Sequence, residues 1–481
     1  MSLYPLQLEI ALTLLALLVL VREALRPVAN ARALGLGLSV LVLVLLAYSF
    51  TMDPVEGALY SGMYRLDEFA LFSKRLFLLA TALALALAAE FSPRMEGGVA
   101  EQYVITLLAA TGMLLIGSVN DFALLFVALE LITISFYVLT SYLRRHLPSL
   151  EAGTKYLIIG ALSGSLTMYG IAYLFGATGA TNLDQVAAAL NQQGGGGGIF
   201  LFGMVLVLLG LSFKLAAFPG QMWAPDVYQG APAPVTAFLA VGSKAAGFVL
   251  LARLLYTGFL GAHQVWGPLV LWTAAITLIY GNLGALFQHN LKRLLGYSSI
   301  AHAGYLLLGV AALNSLGVAA LLFYLVQYTC TVMCAFLAIV ALGRATGNED
   351  LASCAGLHRR SPLLAAALVI SMLSLAGLPP LGGFFGKLLL LLGIFQRVEG
   401  CNSYLVVAIL ASVGVLISFY YYFGVARAVY LDEGASTEPI TLTGATRLGL
   451  ILCIGAILIL GIYQRPLFEA AVDAVAGFRP H

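Results

Sequence analysis

Phe213-Lys214-Leu215-Ala216-Ala217-Phe218-Pro219-Gly220 cuts into an apolar run that starts near residue 199. Leu375-Ala376-Gly377-Leu378-Pro379-Pro380-Leu381-Gly382-Gly383-Phe384-Phe385-Gly386-Lys387 does the same inside the stretch 362–396. Proline removes a backbone donor and clashes with the preceding turn, so both helices break, at Pro219 and at Pro379 and Pro380. Broken backbone at membrane depth is tolerated only where it is buried in protein or lines a wet cavity. The breaks lie five spans apart, and paired interruptions in two halves of a chain point to repeats with an ion path at their interface. An odd number of helices per repeat makes the repeats inverted.

Working outward from these runs, the whole chain reads as membrane-embedded. Of its 481 residues 61% are hydrophobic and 10% charged, whereas soluble domains carry roughly a quarter charged residues. The bilayer is therefore the solvent. Spans of about 20 mostly apolar residues recur about fourteen times, with short loops between and no soluble domain. The fold class is an all-α polytopic membrane protein with two inverted five-helix repeats and with helices seven and twelve broken. Residues 1–100 hold flanking helices one to three, 101–260 the first repeat, 261–432 the second, and 433–481 helix fourteen and a tail. Gly176 to Gly198, ending in the run Gly194–Gly198, reads as a flexible connection. The first hydrophobic stretch lacks a basic n-region and a cleavage site and reads as a first span.

Charge and cysteine content exclude other classes. A net charge of +2 does not suggest a nucleic-acid partner. Cys330, Cys334, Cys354, Cys401 and Cys453 form no CxxC pair and lack iron–sulfur or zinc spacing, so no metal site is expected. Every second loop except the seventh is basic, carrying among others Arg94, Arg144, Arg145, Lys292, Arg293 and Arg344; the opposite side holds Arg65, Arg253 and Arg397. By the positive-inside rule both termini then lie outside the cytoplasm.

Glu130, Lys214, Lys244 and Lys387 stand well inside spans. Each costs at least ~2.5–3.5 kcal/mol to insert, and such residues default to transport paths. The structural alternative is an ion pair between Glu130 and a lysine. One carboxylate cannot neutralise three lysines, and the simplest way for a lysine to live in low dielectric is to lose its proton. Burial disfavours the charged form and a nearby carboxylate favours it, so a row of lysines can pass a proton along. Lysine suits this because its ammonium is a compact charge that titrates, unlike arginine's. His302 reads either as a relay between Lys244 and Lys387 or as a histidine hydrogen-bonded to a neighbouring helix. Tyr324, Gln327, Tyr328 and Thr329 either hold water or bond across helices. Glu9 and Asn282 read as structural, and Asp226 as a cap on a short helix.

Trp223-Ala224-Pro225-Asp226-Val227-Tyr228-Gln229-Gly230-Ala231-Pro232, closing on Ser243-Lys244, resembles the antiporter-like subunits of respiratory complex I, the bacterial NADH:quinone oxidoreductase, and their N form over L and M. Leu129-Glu130-Leu131, the run Asn290–His302 and the run Leu375–Lys387 carry the same resemblance, over roughly residues 60 to 430. It implies a hydrated mid-membrane axis through Glu130, Lys214, Lys244 and Lys387, with proton movement driven by quinone reduction elsewhere. It implies that NAD, FMN, iron–sulfur clusters and quinone belong to partner subunits and none to this chain. The partners are M-like and K-like membrane-arm neighbours and lipid, in a bacterial inner (plasma) membrane. A subunit of a multisubunit cation/proton antiporter, or of a ferredoxin- or hydrogenase-linked complex, is the alternative. Pro219-Gly220-Gln221-Met222-Trp223 departs from the family's Pro-Phe-His-x-Trp, leaving Gln221 to hold a water where a histidine stands.

Overall fold

The computed structural model describes residues 3–27, 29–95, 97–192, 195–398, 402–434 and 438–478. Cys401, Arg479 and Gly194 of the glycine run lie outside them. Among the described residues the chain is helical throughout, apart from one hairpin, β1 (Ala58–Leu59) and β2 (Tyr64–Arg65). The helices are α1 (Gln7–Leu25), α2 (Ala31–Ser49), α3 (Glu68–Phe91), α4 (Val99–Gly117), α5 (Phe122–Thr140), α6 (Leu147–Thr178), α7 (Leu183–Gln192), α8 (Gly198–Leu215), α9 (Ala224–Gly230) and α10 (Ala233–Phe238). They continue with α11 (Lys244–Arg253), α12 (His263–Ala285), α13 (Leu291–Ala311), α14 (Ser315–Thr346), α15 (Leu357–Arg360), α16 (Pro362–Ala376), α17 (Gly382–Phe395), α18 (Asn402–Tyr430), α19 (Gly444–Ile462) and α20 (Arg465–Ala474). Among the described residues twelve segments are long and apolar enough to span a bilayer. The charged first helix α1, and α16 with α17 taken as one broken span, bring the number to fourteen.

Helix starts are written locally. Asp67, Asp121, Asn290, Asn314 and Thr443 each turn a side-chain oxygen onto the first free N–H groups of α3, α5, α13, α14 and α19, satisfying donors that lipid cannot. Burial sorts the spans into centre and rim. The stretch Ala233–Gly258 is wholly buried, whereas α2 is only 22% buried and turns Val40, Leu41 and Val44 outward. An apolar rim needs no explanation where the surroundings are lipid; the central span is packed on every side.

Both expected breaks are present, and they are built alike. α8 ends at Ala216, which adopts a left-handed conformation (φ +53°), and α16 ends at Gly377 (φ +90°). A cis peptide follows in each case, Phe218–Pro219 and Pro379–Pro380. The second break is stitched by Gln327, which donates to Ser374 at 2.9 Å, while Ser374 Oγ accepts from Gly383 N at 3.3 Å. A third irregularity carries no proline. α10 runs into α11 through a π turn at Leu239–Ser243, directly before Lys244, and such turns gather at functional sites.

Three expectations need correction. The segment after Gly176 is not merely a flexible connection, because it contains α7. Leu183, Val186 and Leu190 of α7 are buried on one face at helical spacing, and Asp184 pairs with Arg65 at 2.7 Å. Arg253 is not a loop charge: 1% exposed within its span, it forks onto Asp67 at 2.5 and 2.7 Å. Arginine's planar guanidinium reaches both carboxylate oxygens, which one ammonium cannot. Asp226 does not cap a short helix. It takes Lys155 at 2.7 Å and Arg293 at 2.6 Å, tying α6, α9 and α13 together.

Burial alone would raise the Asp226 carboxyl, but the hydrogen bonds from Lys155 and Arg293 outweigh it and hold the group below its ordinary value. A depressed carboxylate contributes stability above its unfolded value, which is lost as pH falls through the folded one. Asp226→Asn is therefore expected to lower the thermal stability of the purified complex at pH 7. Its difference from the parent should shrink steadily below about pH 4, as differential scanning fluorimetry across pH will show.

Candidate functional site: charged residues within the spans

The axis begins on α5. Glu130 borders an inner cavity that it shares with Thr133, Gly164 and Lys214. It also borders an outer cleft of about 520 Å³ lined by Phe126, Tyr137 and Tyr169. Gly164 makes the room, since a Cβ there would come within 3.1 Å of Glu130 Oε1. Lys214 does not form an ion pair with Glu130. Its Nζ donates to Thr133 Oγ1, one turn along α5 from the glutamate, and Glu130 acts on it across the cavity.

Lys244 follows on α11. That helix packs directly on α8, where a Cβ at Gly247 would stand 3.5 Å from Lys214 Cβ. Lys244 Nζ donates to Ser299 O at 2.5 Å and to Ser299 Oγ at 2.8 Å, and Ser299 Oγ reaches Tyr228 Oη at 3.1 Å. One turn further along α13, His302 Nδ1 meets Tyr324 Oη at 2.5 Å and its Nε2 meets Tyr422 Oη at 3.0 Å. Tyr422 in turn bonds Ser298. Both Lys244 and Lys387 lie within electrostatic reach of His302.

Lys387 closes the axis at the second break. Its Nζ donates to Leu375 O at 2.7 Å and to Ala376 O at 3.0 Å, the last carbonyls of α16. A helix C-terminus carries unpaired carbonyls and the negative end of the dipole, so the break itself supplies the counter-charge. Gly377 has no side chain in the path: a Cβ there would sit 3.2 Å from Lys387 Cδ. The Tyr305 ring lies 4.9 Å from the ammonium.

Glu130, Lys214, Lys244, His302 and Lys387 thus stand on neighbouring helices, each with its own polar partners or cavity. His302 is hydrogen-bonded across helices, to Tyr324 of α14 and Tyr422 of α18. Gln327 serves the second break, and Thr329 only bonds back to Leu325 O in its own helix. Gln221 is 4% exposed with its Oε1 unpartnered. Among the described residues no cluster of histidine, cysteine and carboxylate could hold a metal. Thr133, Ser299, Tyr228 and Tyr422 were invisible to sequence reasoning. They are ordinary residues of apolar helices, and only the packing of one helix on another gives them a role. Lys292, a basic-loop charge by sequence, is buried, with Ala231 O at 3.0 Å and Glu349 at 2.9 Å.

Comparison with known proteins bears on the family and the fold. Residues 118–418 match the family described as NADH:quinone oxidoreductase/Mrp antiporter, TM. The chain is 37% identical to NADH-quinone oxidoreductase subunit N of Moorella thermoacetica, over 99% of each chain. It is 40% identical to subunit N 2 of the same enzyme in Roseiflexus castenholzii, over 88% of this chain and 86% of that one. Among solved structures, a chain of respiratory complex I from Thermus thermophilus with bound aureothin superposes with a TM-score of 0.81 at 30% identity, covering 97% of this chain and 100% of that one. A chain of an archaeal membrane-bound sulfane sulfur reductase gives 0.86 at 26% identity, over 97% and 96%. A chain of the Mrp complex from Dietzia gives 0.82 at 22%, over 98% of each, a likeness of fold.

Proposed function

This chain belongs to the NADH:quinone oxidoreductase/Mrp antiporter family, among its antiporter-like N subunits, and from that premise we propose that protons cross it along Glu130, Lys214, Lys244, His302 and Lys387. It is a proton-translocating membrane-arm subunit of an NADH:quinone oxidoreductase, with other membrane-arm subunits as its partners. In our reading M-like and K-like subunits flank it, and NAD, FMN, iron–sulfur clusters and quinone are held by partner subunits. It sits in a bacterial inner membrane with both termini on the non-cytoplasmic side. The subunit itself performs no redox step, and its contribution is translocation. We divide it at the two broken helices into flanking helices (1–100), two inverted repeats (101–260 and 261–432) and a last helix with its tail (433–481).

One observation carries the relay: none of the three lysines rests on a carboxylate. Lys214 leans on a hydroxyl, Lys244 on a serine and Lys387 on two carbonyls. A hydroxyl oxygen can serve the ammonium as acceptor and the amine as donor, so Lys214 and Lys244 keep a partner in either state. A carboxylate beside them would lock the charged form. When Glu130 swings toward Lys214 the ammonium is favoured; when it swings into the outer cleft the proton is released. That proton passes on toward Lys244, and the neutral amine left at Lys214 no longer opposes a charge there. His302 then takes a proton at one ring nitrogen and yields one at the other, through Tyr324 and Tyr422.

A gentle purification through a tag on this chain tests the assignment. NADH-oxidising activity with flavin and iron–sulfur absorbance is expected to elute with it. Elution with small membrane partners alone, followed by sodium flux in vesicles, would transfer the chain to the cation/proton antiporters. Redox centres that accept electrons from ferredoxin or hydrogen instead of NADH would place it in the related complexes.

A further inference from the structure

The axis leaves unused a second set of buried ionisable groups, at the opposite end of the helices from Arg144 and Arg145. Lys74 on α3 is fully buried and pairs with Glu9 of α1 at 2.7 Å. Tyr64 Oη donates to Glu9 Oε1 at 2.9 Å, lies 2.8 Å from Pro5 O, and accepts from Lys74. The hairpin β1–β2 covers the cluster, with the Tyr60 ring packed edge-on against Tyr64 at 5.7 Å. Asp67 and Arg253 are the other charged groups that face it. Asp67 acts on Lys74 electrostatically and pairs with Arg253.

Two features set this cluster apart from a plain ion pair. Glu9 Oε2 is buried with no hydrogen-bond partner, and so is Asn120 Oδ1 under the hairpin. Buried oxygens of this kind are satisfied by ordered water. The cluster also borders the axis: Arg253 stands nine residues after Lys244 on α11, about 13 Å along the helix, and pairs with Asp67, fixing a charge between the two without itself passing a proton.

We propose that Glu9, Tyr64 and Lys74 form a further proton-exchange site, wetted by water, at which protons leave this subunit on the side opposite the basic loops. The proposal rests on the relay proposed above. In the step, an N–H bond of the Lys74 ammonium breaks as an O–H bond forms on Glu9. The result is a neutral amine and a carboxylic acid. Glu9 then gives the proton to water through Oε2, and the amine takes the next proton arriving from the axis.

Protons pumped per NADH oxidised, measured in membrane vesicles with assembly confirmed on native gels, test the site. Lys74→Arg keeps the charge and the pair but cannot release a proton, so about a twofold lower ratio is expected. Glu9→Gln should lower it similarly. The neutral double variant Glu9→Gln/Lys74→Met covers the case in which arginine hampers assembly, since replacing both partners of a buried pair is tolerated. A parental ratio in assembled Lys74→Arg, or in the double variant, overturns the proposal and leaves a structural ion pair. Lys214→Ala in the same vesicles separates the two ideas. If it too pumps normally the relay falls with the exit site; if it fails to pump while Lys74→Arg pumps normally, only the exit site falls.

Discussion

Lys214→Ala is expected to leave the complex assembled and to depress proton pumping and coupled quinone reduction together, on the order of tenfold, the scale expected when one obligatory charge is taken from a buried path. Assembly survives because no buried carboxylate is stranded. Lys214 leans only on Thr133, whose hydroxyl already donates to Leu129 O at 2.6 Å, and Glu130 opens onto its own cleft. Glu130→Ala should act in the same direction, because without it Lys214 loses the charge that governs when it holds its proton. Quinone reduction and pumping measured on the same vesicles check both variants. Normal pumping in assembled Lys214→Ala membranes would remove the relay from this subunit.

Lys387→Arg separates charge from proton transfer most sharply. The arginine remains at the negative end of α16, where Leu375 O and Ala376 O hold the present ammonium, so the break should stay closed. It does not deprotonate at any working pH, and coupled activity is expected to fall about tenfold or more, since a fixed charge blocks the passage of the next proton. Lys387→Met fails differently. It strands two carbonyls at about 1–3 kcal/mol each, so the melting temperature of the complex should drop along with activity. Equal activity in Lys387→Arg and the parent would show that this position needs only a charge.

What was legible in the sequence follows from physics that belongs to single residues. A charge well inside a span is costly enough to stand out from the sequence alone. Glu130, Lys214, Lys244 and Lys387 therefore stood out as charges no apolar run would carry idly. Proline and glycine break helices by covalent geometry, so Pro219, Pro379 and Pro380 placed both interruptions. Lys74 and Arg253 escaped because they lie near helix ends, where the same residue type serves equally well as a loop charge. α7 escaped because glycines flank it, although Leu183, Val186 and Leu190 carried a readable helical period.

The sequence by itself determined that the chain spans the membrane about fourteen times, that two of its helices break, and that four charges stand well inside spans. Only the tertiary structure decided what each charge faces. It set Lys214 on Thr133 rather than on Glu130, Lys244 on Ser299, and Lys387 on the carbonyl end of α16. It also brought Glu9 to Lys74 across 65 residues. Depth is set by transfer energy, which sums residue by residue along a span. Partnership depends on the rotation and packing of one helix against another, and hydrophobic patterns this uniform leave that rotation undetermined until all the helices are in place.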